Sequence, residues 1–156
     1  MTIAFGSDHA GFALKNALME HVSSLGYAVH DYGCYDEKST DYPIYGFLAG
    51  KAVSLGDCAL GILVCGTGVG ISLAANKVRG VRAVVCSEPF SAKMAREHND
   101  ANMLAIGARV VGSELANMIV DAFLDARFLG GRHARRVDML SEIENTQDLA
   151  AAHADK

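Results

Sequence analysis

Apolar and polar positions in this chain fall into blocks of two kinds. Short apolar runs occur at Thr2–Ser7, Tyr27–Tyr32, Cys58–Val64, Val81–Cys86 and Met103–Ala108. Runs of that length predict strands covered on both faces. Between them lie longer stretches whose apolar residues recur every three or four positions, the spacing of a helix with one buried face. Leu14, Leu18, Val22 and Leu25 form the first such stripe, which Gly26 ends. Ile44, Leu48, Ala52 and Leu55 form the second, with Pro43 in its first turn, Asp41 or Thr40 as cap and Gly56 at its end. A third helix is expected over Ile71–Lys77, and a fourth is opened by Glu88 and Pro89 and runs to about Glu97. Ser113 caps a fifth, in which Leu115, Met118, Ile119, Ala122 and Phe123 share a face. The last is expected from about Ala134, with Val137, Leu140 and Ile143 available to dock on a neighbour.

Strands alternating with helices predict an α/β fold, a doubly wound parallel sheet of Rossmann-like type with a C-terminal helix. The expected strand order is 2-1-3-4-5. That order reverses between the first and third strands, where such sheets bind ligands beyond the carboxyl ends of their strands. Two turns meet there, Ser7–Gly11 and Cys65–Gly68. With 156 residues, 51% of them hydrophobic, one domain is expected. Its bounds are read as 1–145, with a fraying tail at 146–156 that contains His153.

Composition narrows the function classes. A net charge of −4 gives no basis for general affinity to nucleic acid or acidic membranes. A local basic cluster stands at Arg132, His133, Arg135 and Arg136. The amino terminus runs directly into a strand pattern, and no apolar stretch reaches the roughly 18 residues of a membrane span. The cysteines at 34, 58, 65 and 86 show neither a C-x-x-C pair nor zinc spacing, and read as reduced thiols in apolar runs. A cytoplasmic location is expected.

The candidate chemistry gathers at Cys65–Gly70. A strand ending in Gly66-x-Gly68-x-Gly70 and opening a helix leaves backbone N–H groups facing an anion. The turn is one residue short of the G-x-G-x-x-G dinucleotide fingerprint and lacks the Lys-Ser/Thr ending of a P-loop. With Glu88 in the place of a ribose-binding acid, it still admits a non-catalytic nucleotide-binding domain. Cys65 is either inert packing or a base or nucleophile whose thiol is made acidic by the helix N-terminus. His9 and His98 are expected in loops on the ligand side, and His133 in a basic linker. His21 and His30 carry no signal beyond core or surface roles. Arg132, Arg135 and Arg136, after Gly130 and Gly131, are either solvated charge or a movable cationic arm suited to a phosphate. An anion nest and an arginine clamp point to a small phosphorylated molecule, with Cys65 and Thr67 suited to proton abstraction beside a carbonyl.

Gly6–Gly11, Thr40–Pro43, Cys65–Ile71, Ala75–Lys77, Glu97–Asp100 and Gly130–His133 with Arg136 together resemble ribose-5-phosphate isomerase type B. That family also includes galactose- and allose-phosphate isomerases, and the likeness runs from Ile3 to about Ile143. It implies an aldose–ketose isomerase of the pentose phosphate pathway, converting ribose 5-phosphate to ribulose 5-phosphate, with other sugar phosphates as alternative substrates. No metal or organic cofactor is implied. Cys65 matches the base that moves a proton between C1 and C2 through a cis-enediolate. Thr67 matches the residue that shifts the proton between the two oxygens. The backbone of Gly66, Gly68, Val69 and Gly70 matches the anion hole for the enediolate, in place of the phosphate that the turn alone suggests. His98 matches the furanose-opening group, assisted by Asp8, and Asn99 a contact to the sugar. Arg132 and Arg136, with His9, match the phosphate grip, and His133 and Arg109 are neighbouring candidates. Asp41 and Tyr42 fit the pattern without an assigned role. Ile71 stands where another branch of the family has a glutamate base, which assigns this chain to the cysteine-base branch. The resemblance also implies a homodimer or tetramer with sites between subunits, the His98–Asn99 segment of one reaching a neighbour's Cys65 turn.

Overall fold

A computed structural model describes residues 1–150. Of the expected tail, residues 151–156 with His153 lie outside the described residues. The elements in chain order are β1 (Thr2–Ser7), α1 (Phe12–Ser24), β2 (Ala28–Asp31), α2 (Tyr42–Leu55), β3 (Leu60–Cys65), α3 (Val69–Ala75), β4 (Ala83–Val85), α4 (Pro89–Asn99), β5 (Met103–Gly107), α5 (Ser113–Asp125) and α6 (Arg132–Thr146). All strand pairs are parallel.

The strand order is β2-β1-β3-β5-β4, so the expected 2-1-3-4-5 is corrected at its end. Burial explains the exchange. Every residue of β5 is buried, which requires a neighbour on each side, whereas β4 is three residues long and leaves Val85 exposed. A short, half-covered strand suits an edge. β4 is also shorter than the apolar run from Val81 to Cys86. The N–H groups at its start are taken by side chains: Asn102 Oδ1 accepts from Arg82 N–H and Asn76 Oδ1 from Ala83 N–H.

Strand residues alternate between two cores, as a period of two requires. Ile3, Phe5, Ile62, Val64, Leu104 and Ile106 face one side with α1, α4 and α5. Ala4, Leu63, Cys65, Met103 and Ala105 face the other with α2 and α3. Cys65 therefore points to the side where α2 and α3 begin.

α2 does not bury the stripe its spacing predicts. Ile44, Leu48 and Leu55 are exposed, and the covered face is Gly46, Ala49, Gly50, Ala52 and Val53. Close packing of α2 on α3 selects these small residues: a Cβ on Gly46 would stand 2.6 Å from the Ile71 carbonyl oxygen. In α1, Leu18 and Val22 are buried as expected, but Leu25 is exposed and Lys15 is wholly buried. Lys15 Nζ is satisfied there by Asp31 Oδ2 at 2.5 Å and Cys34 O at 2.9 Å, as a buried cation requires.

Candidate active site

The turn after β3 closes because Gly68 adopts φ +79°, a conformation that disfavours any side chain. Its N–H donates to Cys65 Sγ at 3.1 Å. Beside it, Ala108 N–H donates to Cys65 O at 2.8 Å and Arg109 N–H to Gly66 O at 3.0 Å. A Cβ on Gly107 would come within 2.8 Å of the Thr67 carbonyl carbon, so the end of β5 lies flat against the turn. This contact follows from the corrected strand order, and it carries Arg109 to the site.

Asp8, His9, Ala10, Tyr42, Cys65, Gly66, Thr67, Gly70 and Arg109 line an open cleft of about 540 Å³. The cleft lies at the switch point between β1 and β3, as expected. Asp8 is buried and its Oδ1 accepts from Gly11 N–H at 3.1 Å, which shapes the first turn. Thr67 is exposed, with Oγ1 3.4 Å from Val69 N. The Tyr42 ring packs against Gly70, where a Cβ would meet it at 2.7 Å. The one sequence signal for Tyr42 is its place in the Thr40–Pro43 stretch.

The remaining candidates form a second cluster elsewhere. His98 is in the last turn of α4, not in a loop, and His133 is in the first turn of α6, not in a linker. Their rings stack at 4.1 Å with 3° between planes. Arg132 and Arg136 are on the same α6, exposed beside this pair, and Asn99 ends α4. The expected arm is thus the start of a helix, and Leu129 N–H donating to Glu97 O ties its approach to α4. Asp100, at φ +46°, secures the end of α4 by pairing with Arg82 and Arg96.

The two clusters lie at opposite ends of the sheet. Cys65 ends β3, in register with Gly107, whereas α4 ends just before Met103, where β5 begins. The rise from Met103 to Gly107 alone is about 13 Å. The expectation that His98 shares the ligand side with His9 in one chain is therefore corrected. An α4 that follows one parallel strand must run back to the start of the next. For the same reason the arginines do not join His9 within a chain.

His133 is held below the ordinary histidine pKa, first by burial, then by the nearby charges of His98, Arg132 and Arg136. A lowered folded-state pKa means that the unfolded chain binds more protons below about pH 6.5. This contribution is complete above that pH and is lost as pH falls toward the folded value. Urea midpoints are expected to fall on acidification from pH 7 to 5.5, and to fall less in His133→Asn.

Glu88, read as a possible ribose-binding acid, caps α4 instead. Its two oxygens accept from Phe90 N–H at 2.6 Å and Ser91 N–H at 2.8 Å, which lowers its pKa. No group of three or more His, Cys, Asp or Glu suited to a metal occurs among the described residues.

The chain is similar to known proteins in sequence and fold. The family described as Ribose/Galactose Isomerase matches residues 3–140. Ribose-5-phosphate isomerase B of Escherichia coli is 54% identical over 146 residues, 94% of this chain and 98% of that protein. The D-erythrulose-4-phosphate isomerase of Pectobacterium atrosepticum is 40% identical over 94% of this chain and 97% of its own. Ribose-5-phosphate isomerase B of Clostridium thermocellum superposes with a TM-score of 0.93 at 51% identity, covering 95% of this chain and 100% of that one. The Mycoplasma genitalium enzyme with bound ribulose 5-phosphate superposes at 0.88 with 42% identity, over 93% and 97% of the two chains.

Proposed function

The chain belongs to the ribose/galactose isomerase family, and we propose that it interconverts D-ribose 5-phosphate and D-ribulose 5-phosphate. The observation that carries this reading is the cleft itself: a cysteine sulfur beside a glycine turn and the Thr67 hydroxyl, at the switch point of the sheet. In the open-chain aldose Cys65 takes the C2 proton, the C–H electron pair becomes the C1–C2 double bond, and the carbonyl π pair moves onto O1 to form the cis-enediolate. Thr67 passes a proton between O2 and O1, and backbone N–H groups from Gly66 to Gly70 hold the developing charge. Returning the proton to C1 gives the ketose. Asp8 acts at the sugar, His98 opens the furanose, Asn99 contacts the sugar, and Arg132 and Arg136 with His9 grip the phosphate. His133 and Arg109 flank these groups.

Because the clusters are at opposite ends of the sheet within one chain, this reading requires two copies, each presenting its His98–Arg136 cluster to the other's Cys65 turn. Exposed apolar residues beside the cleft support such a homodimer: Tyr42, Ile44, Phe47 and Leu48 on α2, Val69 and Leu73 on α3. A tetramer built from such dimers keeps the same sites. Four free, buried cysteines support a cytoplasmic location.

Purified protein in EDTA is expected to convert the pentose phosphate without added metal or cofactor. Initial rates on four-, five- and six-carbon sugar phosphates are expected to give the highest kcat/KM with ribose 5-phosphate. The second reading, a tetrose or hexose phosphate isomerase, rests on the 40% identity to the erythrulose-phosphate enzyme and 42% to a Clostridium acetobutylicum galactose-6-phosphate isomerase subunit. A higher kcat/KM on one of those sugars selects it.

A further inference from the structure

His9 reaches the cleft from the turn after β1, and its ring is not free to choose a tautomer. The Thr40 backbone N–H donates to Nδ1 at 3.2 Å. A backbone amide nitrogen can only donate, so Nδ1 accepts, and the single proton of a neutral imidazole then sits on Nε2. Thr40 is itself fastened: its hydroxyl lies 2.9 Å from the Tyr45 hydroxyl on α2. The Tyr45 ring also covers the other end of the same loop, where a Cβ on Gly33 would come within 2.8 Å of it. That end is tied to β1 by Cys34 N–H donating to Ser7 O at 2.7 Å, and to α1 by the buried Lys15. The loop is thus secured at its start by β1 and Lys15 and at its finish by Tyr45. His9 takes its orientation from the finish.

We propose that Tyr45 and Thr40 form a positioning relay that holds His9 as the Nε2–H tautomer and presents one neutral N–H donor to an oxygen of the bound sugar phosphate. The proposal rests on the placement of His9 at the substrate under the isomerase reading. In that role His9 supplies direction, and the charge that balances the phosphate comes from the arginines. Tyr45 packs against the core around Ala49 and Leu63 and reaches Thr40 with its hydroxyl, but it does not line the cleft, so it acts on the substrate through His9.

Protein labelled with ¹⁵N-histidine tests the relay by NMR at neutral pH, with the His9 signals assigned by their loss in His9→Ala. The expected spectrum shows Nε2 protonated and Nδ1 bare. Tyr45→Phe removes one hydroxyl and keeps the ring that covers Gly33. It is expected to raise KM for the phosphorylated sugar about three- to tenfold with kcat within about twofold, the size of one weakened hydrogen bond. It is also expected to shift the His9 signals toward a mixture of tautomers, which a merely structural tyrosine does not do. His9→Ala is expected to raise KM about tenfold or more, and His9→Gln, whose amide nitrogen reaches the place of Nε2, to recover part of the loss. A proton on Nδ1, or a Tyr45→Phe protein with unchanged KM and unchanged His9 signals, overturns the relay while a raised KM in His9→Ala keeps the functional reading. An unchanged KM in His9→Ala overturns the placement of His9 at the substrate, and the relay's role with it.

Discussion

Cys65→Ala is expected to lower kcat for pentose phosphate interconversion by about 10³-fold or more, within the range attributed to a positioned general base. The fold is expected to survive. Cys65 is 4% exposed at the end of a fully buried strand, so the change deletes one sulfur and leaves the strand's ladder intact. Its cost in stability should be about 1 kcal/mol. Cys65→Ser separates position from chemistry, because its hydroxyl can still accept from Gly68 N–H in place of the sulfur. A hydroxyl is a far weaker base than a thiolate at neutral pH, so this variant is expected to keep the turn and still lose most turnover. Circular dichroism melts beside single-turnover rates check both. A Cys65→Ala protein within tenfold of the parent would move the base elsewhere.

The second large effect is a recovery. One chain carrying Cys65→Ala and another carrying Arg132→Ala with Arg136→Ala are each expected to be nearly inactive as homodimers. Charge-assisted contacts to phosphate are among the strong hydrogen bonds, so losing two arginines should cost about 10²-fold or more in kcat/KM. Co-expressed with different tags and purified as the heterodimer, the pair is expected to regain about half of the parent's activity, because a two-fold assembly then contains one intact site and one doubly defective site. If each chain housed its own complete site, the heterodimer would stay as inactive as its parents. This experiment reads the separation of the clusters directly: Cys65 lies at the carboxyl end of β3, and His98 and His133 stack where β5 begins.

Much of the site was legible before folding, for local reasons. The Cys65–Gly70 turn announces itself because a backbone that must open into a helix after a strand, with φ +79° at Gly68, accepts few residue types. Glu88 and Pro89 open α4 as their sequence predicts, since a carboxylate cap and a proline in the first turn act over three residues. Errors arose where distant chain segments compete. The α2 stripe failed because the helix presents its small residues to α3 and leaves Ile44, Leu48 and Leu55 outside. Lys15 could not be foreseen as buried, since its partners Asp31 and Cys34 reach it only across the fold. Glu88 occupies a position whose spacing suits either a ribose-binding acid or a helix cap, and the structure shows the cap.

Local patterning was sufficient for the strands, the helices, the parallel α/β architecture and the reactive turn, because each depends on residues a few positions apart. Strand order at the β4 edge and the contact of Arg109 with the turn were decided by tertiary structure, which also gives the physical reason for the division of the candidate residues between two ends of the sheet that the family resemblance implies. Those features depend on which strand can be buried on both sides, and on helices that must return the full length of a strand before the next begins.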